Sequence, residues 1–122
     1  TVSCVNAPAQ YGAIAALDGP QDVVLQMRDA YRARRDEVLR LLSSSGIDAH
    51  KPGGAFYIWV DITDSGRSDM DFAMDLIDKR QVTVVPGSTF GPGNEGRIRI
   101  SLATATTDLY EGVSRLVEEI KS

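Results

Sequence analysis

Apolar residues follow a helical spacing in the first part of the chain. A first helix is predicted from Pro8 to about Leu17, because Asn6 can cap it and proline fits a first turn. Residues 18–20 end that helix, and a longer one runs from about residue 20 to residue 45, with Gly46 as its left-handed cap. The spaced apolar positions of this second helix are Val24, Met27, Tyr31, Val38 and Leu42.

Three later segments have the composition or alternation of strands. Residues 55–62 place apolar side chains on one face and Tyr57 and Trp59 on the other, so both faces are expected to be partly covered. Residues 82–85 predict a short strand that Pro86 and Gly87 end. Residues 97–103 predict a third strand, in which the apolar residues alternate with arginine and serine.

Two further helices complete the predicted fold. Ser68 and Asp71 form a capping-box pattern, and the helix after them turns four apolar residues inward: Phe72, Ala73, Leu76 and Ile77. The last helix begins near Thr106 and buries a stripe formed by Leu109, Val113, Leu116, Val117 and Ile120. We therefore predict an α+β fold, a single domain over residues 1–122: a small mixed or antiparallel three-stranded sheet packed against helices, with a long N-terminal linking helix.

Composition narrows the class of protein. A chain of 122 residues with 43% apolar and 25% charged residues is typical of one globular domain. The net charge of −4 argues against a nucleic-acid partner, and the apolar runs are too short to predict a membrane span. Cys4 is the only cysteine and no signal-peptide pattern is present, so a cytoplasmic location is expected. The start at Thr1 is explained equally well by processing and by origin as a fragment.

Some candidate motifs do not predict a site. Residues 91–96 match the dinucleotide fingerprint letter by letter, but a strand rather than a helix is predicted after them, so we interpret them as a turn. His50 and Cys4 are each the only residue of their type, which predicts neither a metal site nor a catalytic triad. The arginines of the second helix form a solvated face or contact another domain or subunit: Arg28, Arg32, Arg34, Arg35 and Arg40.

Two arginines on one face of a predicted strand need an explanation. Arg97 and Arg99 are two residues apart, and strand propensity does not favour arginine. A guanidinium group offers a planar fork of donors that fits a carboxylate, and a strand holds such a group more rigidly than a loop does. The spacing therefore indicates either capture of a carboxylate or a surface salt bridge.

Three segments in register carry a family resemblance. They are residues 53–57 (GGAFY), 82–91 (VTVVPGSTFG) and 96–103 (GRIRISLA). Together they closely resemble the end of the class I/II aminotransferases, which are fold type I pyridoxal-phosphate enzymes. Residues 10–17 and 31–36 also resemble the helices that precede these segments in that family, so the resemblance covers essentially the whole chain.

The resemblance implies that this chain is the carboxy-terminal small domain of an aminotransferase, which moves an amino group between an amino acid and a 2-oxo acid. It implies that Arg99 grips the substrate α-carboxylate. Gly54, Phe56 and Phe90 either shape the substrate side of the cleft or are turn and core residues. Arg97 is either a support or a surface residue.

The resemblance also implies that the cofactor lysine and the other pyridoxal-phosphate ligands lie upstream, in a large domain, and that the whole enzyme is a homodimer. Lys51, Lys79 and Lys121 do not match the lysine motif, so no catalytic, cofactor-binding or metal-binding residue is predicted in this chain, and the chain alone is expected to be inactive. The alternative is a free-standing module that binds a small carboxylate or serves regulation or dimerisation without catalysis.

Overall fold

The structure is a computed structural model, and it describes residues 4–122. The described chain forms two compact units, which meet in sequence between Ala30 and Tyr31. The described part contains four helices and three strands: α1 (Ala7–Asp18), α2 (Asp22–Ser44), β1 (Tyr57–Asp61), α3 (Asp69–Arg80), β2 (Val85–Pro86), β3 (Arg97–Ser101) and α4 (Thr106–Ile120). Two short 3₁₀ turns, Thr63–Ser65 and Gly87–Phe90, were not predicted. The order of elements and the α+β class are confirmed.

The first unit holds α1 and the first turns of α2. Asn6 caps α1 as predicted, because its side-chain oxygen accepts a hydrogen bond from the Ala9 amide at 2.8 Å. No residue of α1 is buried. Val24 and Met27 of α2 are exposed at 54% and 52%, so the apolar spacing of α2 does not produce a buried face in this unit.

The second unit is built on an antiparallel sheet with the strand order β1-β3-β2. Ile58 lies opposite Ile100 and Val60 opposite Ile98, so the apolar residues of the two longer strands share one face. That face is buried in a core with Val38 and Leu42 of α2 and apolar residues of α3 and α4, among them Phe72, Leu76, Leu109, Val113 and Leu116. The opposite face of the sheet is only partly covered.

The end of α3 explains why the second strand is shorter than predicted. Gln81 adopts a left-handed conformation at φ 58°, and the Val82 amide donates to the Leu76 carbonyl at 3.2 Å. An amide that closes a helix cannot also pair in a sheet, so the strand begins later, at Val85. The predicted strand over residues 82–85 was therefore wrong in its bounds, and Pro86 belongs to the strand as an edge residue.

The predicted helix starts and faces are largely confirmed. The Ser68 hydroxyl accepts from the Asp71 amide at 3.1 Å and caps α3. Phe72, Ala73 and Leu76 are buried as predicted, but Ile77 is 39% exposed, so its inward placement was wrong.

The glycine-rich residues 91–96 form a turn. Gly91, Gly93 and Gly96 all have positive φ, and β3 begins directly after them. The predicted turn and the strand after it are confirmed, so these glycines do not precede the helix N-terminus that the dinucleotide motif uses to bind pyrophosphate.

The arginines of α2 divide between two roles. Arg28 and Arg40 pair with Asp29 and Glu37 on the surface. Arg34, which is half-buried, instead donates to the Leu102 carbonyl at 2.9 Å and so ties α2 to the end of β3. The interpretation of the stretch as a solvated face therefore holds for only part of it.

Candidate functional site

Arg99 lies in the middle of the central strand of the sheet. Trp59 of β1 is opposite to it on one side and Val85 of β2 on the other. Its neighbours Ile98 and Ile100 are buried in the core, so the alternation of the strand turns Arg99 to the opposite face. The backbone of Arg99 is thus held by strands on both sides, while its half-buried side chain points away from the core.

Two aromatic rings enclose the guanidinium group of Arg99. Its Cζ atom lies 4.1 Å from the centroid of the Tyr57 ring and 4.6 Å from that of Phe90. Both distances are within the range of cation–π attraction. Phe90 in turn meets Trp59 edge to face at 5.2 Å. The rings restrict the guanidinium plane without neutralising its charge.

Arg99 forms no salt bridge with any acidic side chain in residues 4–122. Other cations in that part of the chain do form such contacts, among them Arg67, Lys79 and Arg80. Its Nε is buried and has no hydrogen-bond partner in that part of the chain. A buried donor without a partner costs about 1–3 kcal/mol, and such groups are rare in folded proteins. Within residues 4–122, Arg99 therefore does not form the surface salt bridge that the sequence left open.

The Gly87–Phe90 turn brings the Phe90 ring to Arg99. Gly87 is buried and packs so closely on the backbone oxygens of Asn94 and Arg97 that a Cβ atom would collide with both. The carboxylate of Asp69, the first residue of α3, accepts a hydrogen bond from the Ser88 amide at 2.6 Å. The hydrogen bond from the Ser88 amide is the main cause of a lowered pKa of Asp69, and the Ser88 hydroxyl and the amides of the first turn of α3 add to it. The carboxylate therefore remains ionised although Asp69 is only 5% exposed.

The other predicted site residues lie at different distances from Arg99. Phe90 contacts it directly, whereas Phe56 reaches it only through Tyr57, whose ring centroid is 4.5 Å from that of Phe56. Gly54 lies in an exposed bend with open space where a side chain would stand. The roles predicted for Gly54, Phe56 and Phe90 on the substrate side of a cleft stay predictions.

Arg97 differs from Arg99 although it projects from the same face. It is exposed and lies opposite Asp61, whose carboxylate is bound by the backbone amide and hydroxyl of Thr63 at 2.9 and 2.5 Å. These hydrogen bonds, with a smaller contribution from the charge of Arg97, lower the pKa of Asp61. No aromatic ring encloses Arg97 among the described contacts, which fits the prediction of a surface residue.

Sequence reasoning missed Tyr57 and Asp69. The alternation of β1 does place Tyr57 and Trp59 away from the core, as it does Arg99 in β3. The strand order and register that bring these faces together cannot be derived from alternation alone. Asp69 has the appearance of an ordinary acidic residue in a first helical turn.

Other candidate chemistry is not found in the described part of the chain. No three histidine, cysteine, aspartate or glutamate side chains within residues 4–122 are placed so as to hold a metal ion. Cys4 and His50 are both exposed. The helices within these residues lack either the length or the apolar character needed to cross a bilayer.

The arrangement around Arg99 suits recognition of a small planar anion. A guanidinium fork that has no counter-ion in the described residues 4–122 can form two parallel hydrogen bonds with a carboxylate. The Phe90 side chain is 44% exposed, so it can also offer an apolar surface beside that anion.

Known proteins are similar to this chain in both sequence and fold. A family model described as aminotransferase class I and II matches residues 1–117. A probable N-acetyl-LL-diaminopimelate aminotransferase from Bacillus subtilis is 41% identical over 94% of this chain, which spans 29% of that protein.

Solved structures agree with the family match. An aromatic aminotransferase from Pyrococcus horikoshii matches 92% of the chain at a TM-score of 0.86 and 39% identity, and the match covers 30% of that protein. An aspartate aminotransferase from Thermotoga maritima matches the whole chain at the same TM-score and 31% identity, again over 30% of its length. This chain therefore spans less than a third of these relatives, and it belongs to the class I and II aminotransferases.

Proposed function

We propose that this chain is the carboxy-terminal small domain of a fold type I aminotransferase and that Arg99 binds the α-carboxylate of its amino acid and 2-oxo acid substrates. The observation that carries the proposal is the guanidinium of Arg99, held between Tyr57 and Phe90 and without a counter-ion in residues 4–122. A cation without a counter-ion in this part of the structure can pair with an incoming anion at little reorganisation cost.

Binding at Arg99 would orient the substrate. Two parallel hydrogen bonds fix both the position and the plane of a carboxylate, whereas a single charge fixes only its distance. Pyridoxal phosphate, when bound, would supply the chemistry of amino-group transfer. The role of this chain would be to hold the carboxylate end of the substrate in place.

The lysines of this chain do not fit a cofactor site. Lys51 pairs with Asp36 and is 64% exposed, Lys79 pairs with Asp75 and is 56% exposed, and Lys121 is exposed. Solvated lysines of this kind lack the buried or cationic surroundings that activate a lysine as a nucleophile. We therefore assign the cofactor-binding residues to the rest of the polypeptide, and this chain alone is expected to be inactive. The proposal includes a homodimeric whole enzyme in the cytoplasm, an expectation that rests on the family resemblance and on the single cysteine.

Arg99→Lys in the whole enzyme tests the proposal. Lysine keeps the charge but loses the planar fork, so we expect kcat/KM for an accepted amino acid to fall by roughly 30- to 150-fold, or about 2–3 kcal/mol. Steady-state kinetics with the amino donor and the 2-oxo acid measure this value.

Arg97→Lys is the matched control. Arg97 lies on the same strand and face but is exposed, so its replacement should change kcat/KM less than about twofold. Equal losses in the two variants, or none in Arg99→Lys, would refute the role of Arg99. A polypeptide that lacks a cofactor-binding domain yet still binds small carboxylates would favour the non-catalytic module.

A further inference from the structure

We infer that Asp69 is a positioning residue for substrate binding: through the Gly87–Phe90 turn it holds the Phe90 ring over the guanidinium of Arg99. This inference rests on the proposed carboxylate role of Arg99. Asp69 has no contact with Arg99 among residues 4–122, and its side chain binds the Ser88 amide instead. Its effect on substrate binding would therefore be indirect, through the rings around Arg99.

The first step of the argument is the position of Asp69. Its side chain is 5% exposed, and it is one of two buried acidic residues in the described part of the chain. The other, Glu119, is bound by Arg67 and Arg80, whereas Asp69 lies near no cation within salt-bridge distance in residues 4–122. A buried carboxylate is costly, and here its ionised form is retained by amide donors instead.

The second step is the group that Asp69 holds. The amide of Ser88 lies in the middle of the Gly87–Phe90 turn and donates to Asp69 Oδ2 at 2.6 Å, a short, charge-assisted hydrogen bond. Within the turn, the Gly91 amide donates to the Ser88 carbonyl and the Thr89 hydroxyl to the Pro86 carbonyl, and 3₁₀ hydrogen bonds of the first kind have poorer geometry than those of an α-helix. The bond to Asp69 therefore fixes the turn to the N-terminus of α3, an element that is anchored in the core by Phe72 and Leu76.

The third step leads from the turn to Arg99. Phe90 is the last residue of the turn, and its ring contacts both the guanidinium of Arg99 and, edge to face, the ring of Trp59. If the turn shifts, the Phe90 ring moves away from the guanidinium of Arg99, and only the Tyr57 ring then restricts the guanidinium plane. A loosely held guanidinium loses more conformational entropy when it binds a carboxylate, so the carboxylate binds more weakly.

The single tryptophan of the chain makes the movement of the turn measurable. Trp59 is that residue, and Phe90 packs against it at 5.2 Å. Asp69→Ala is expected to change the near-ultraviolet circular dichroism of Trp59 while the far-ultraviolet spectrum stays that of the folded chain. Asp69→Asn keeps an oxygen that accepts from the Ser88 amide, so it should retain most of the original signal.

Asp71→Ala is the matched control for a weakened α3. Asp71 lies in the same helical turn, but it is exposed and interacts with Ser68 rather than with the Gly87–Phe90 turn. The Trp59 signal should be unchanged in this variant. A folded Asp69→Ala chain with an unaltered Trp59 signal, or an equal change in Asp71→Ala, would overturn the inference. If Asp69→Ala does not fold, Asp69→Glu displaces the carboxylate by one methylene, and the same result is expected of it.

Kinetics of the whole enzyme test the link to function. Asp69→Ala should raise KM for the amino acid roughly tenfold and leave kcat within about twofold, since it loosens the binding group without removing it. In a Phe90→Leu background the same substitution should have little further effect, because both changes remove the same contact. Additive effects of the two substitutions on KM would contradict action through Phe90.

The two proposals can fail separately. If Arg99→Lys leaves KM and kcat unchanged, the carboxylate role is wrong, whatever Asp69 does. If Arg99→Lys has its expected effect but Asp69→Ala changes neither the Trp59 signal nor KM, only the positioning role of Asp69 is wrong.

Discussion

Glu119 shows at the scale of single residues how the second unit is held together. Its carboxylate is 2% exposed and accepts hydrogen bonds from Arg67 Nη1 at 2.7 Å and Arg80 Nε at 2.9 Å. Arg80 belongs to α3 and Glu119 to α4, so the pair crosses between two helices. The hydrogen bonds from Arg67, and then from Arg80, lower the pKa of Glu119 below its usual value.

We expect Glu119→Gln to destabilise the chain by about 3 kcal/mol, because it leaves two arginines without their buried anion. The pKa of Glu119 is lowered on folding, so its stabilisation is complete above the unfolded value of about 4.3 and is lost as the pH falls through the lower folded value. The difference between wild type and variant should therefore be constant near neutral pH and should shrink below about pH 4. Urea unfolding at a series of pH values measures it.

Glu118→Gln provides the comparison for that experiment. Glu118 pairs with the same Arg80 at 3.0 Å, but its side chain is 63% exposed. Exposed pairs contribute about 0–1 kcal/mol, so this variant should unfold almost as the wild type does. Equal destabilisation by the two substitutions would show that burial of Glu119 is not what matters.

The residue type of Arg99 and its place in a strand predict only part of its role. Its type and its place in an alternating strand are enough to raise carboxylate binding as a possibility. From the spacing alone the salt bridge remained an open alternative, because whether an acidic residue lies nearby depends on how distant strands pair. The enclosure by Tyr57 and Phe90 became visible only in the folded chain.

At the scale of elements, the Gly87–Phe90 turn joins the sheet to the candidate site. Gly87→Ala is expected to destabilise the chain by about 2–3 kcal/mol, since its Cβ would collide with backbone oxygens that cannot easily move. The same variant should perturb the Trp59 signal, because Phe90 lies at the end of the turn. Thermal unfolding and near-ultraviolet circular dichroism measure the two effects.

Gly53→Ala is the control for Gly87→Ala. Gly53 is exposed, has no positive φ, and has no atom within 4 Å of the position that a Cβ would take. Its replacement should change stability by less than about 0.5 kcal/mol. A similar loss in both variants would mean that close packing at Gly87 is not the cause.

The bounds of β2 show where element-scale prediction fails. A run of branched residues at 82–85 predicts a strand, but the Val82 amide closes α3 and is not free to pair. Glycine usually marks such a helix end, and here Gln81 takes the left-handed conformation instead. The hydrogen bonds that end α3 therefore reach Val82, the first residue of the strand that propensity alone predicts.

At the scale of the whole molecule, the two units differ in how their apolar residues are used. The second unit encloses a core of seventeen buried apolar residues, whereas α1 and the first turns of α2 bury none. Large apolar side chains of the first unit, such as Tyr11 at 75% and Leu17 at 80%, are exposed. The first unit therefore gains little stability from burial of apolar surface of its own.

We expect hydrogen exchange of the 122-residue chain to separate the units. A helix of 12 residues without buried side chains is marginal in water, so amides of α1 should exchange almost as fast as in an unfolded peptide. Amides of β3, which pairs on both edges, should exchange only on global unfolding. Mass spectrometry of deuterated peptides measures both, and protection of α1 comparable to that of β3 would contradict the expectation.

The sequence by itself determined the order of helices and strands, the helix caps at Asn6 and Ser68, the inward faces of the two longer strands and the family resemblance. These features depend on local periodicity and on short motifs, in which neighbours in the chain are also neighbours in space. Only the tertiary structure decided the strand order β1-β3-β2, the ring enclosure of Arg99 and the contact between Asp69 and Ser88. The physical reason is that these contacts join residues far apart in sequence, and their geometry is set by the packing of the core.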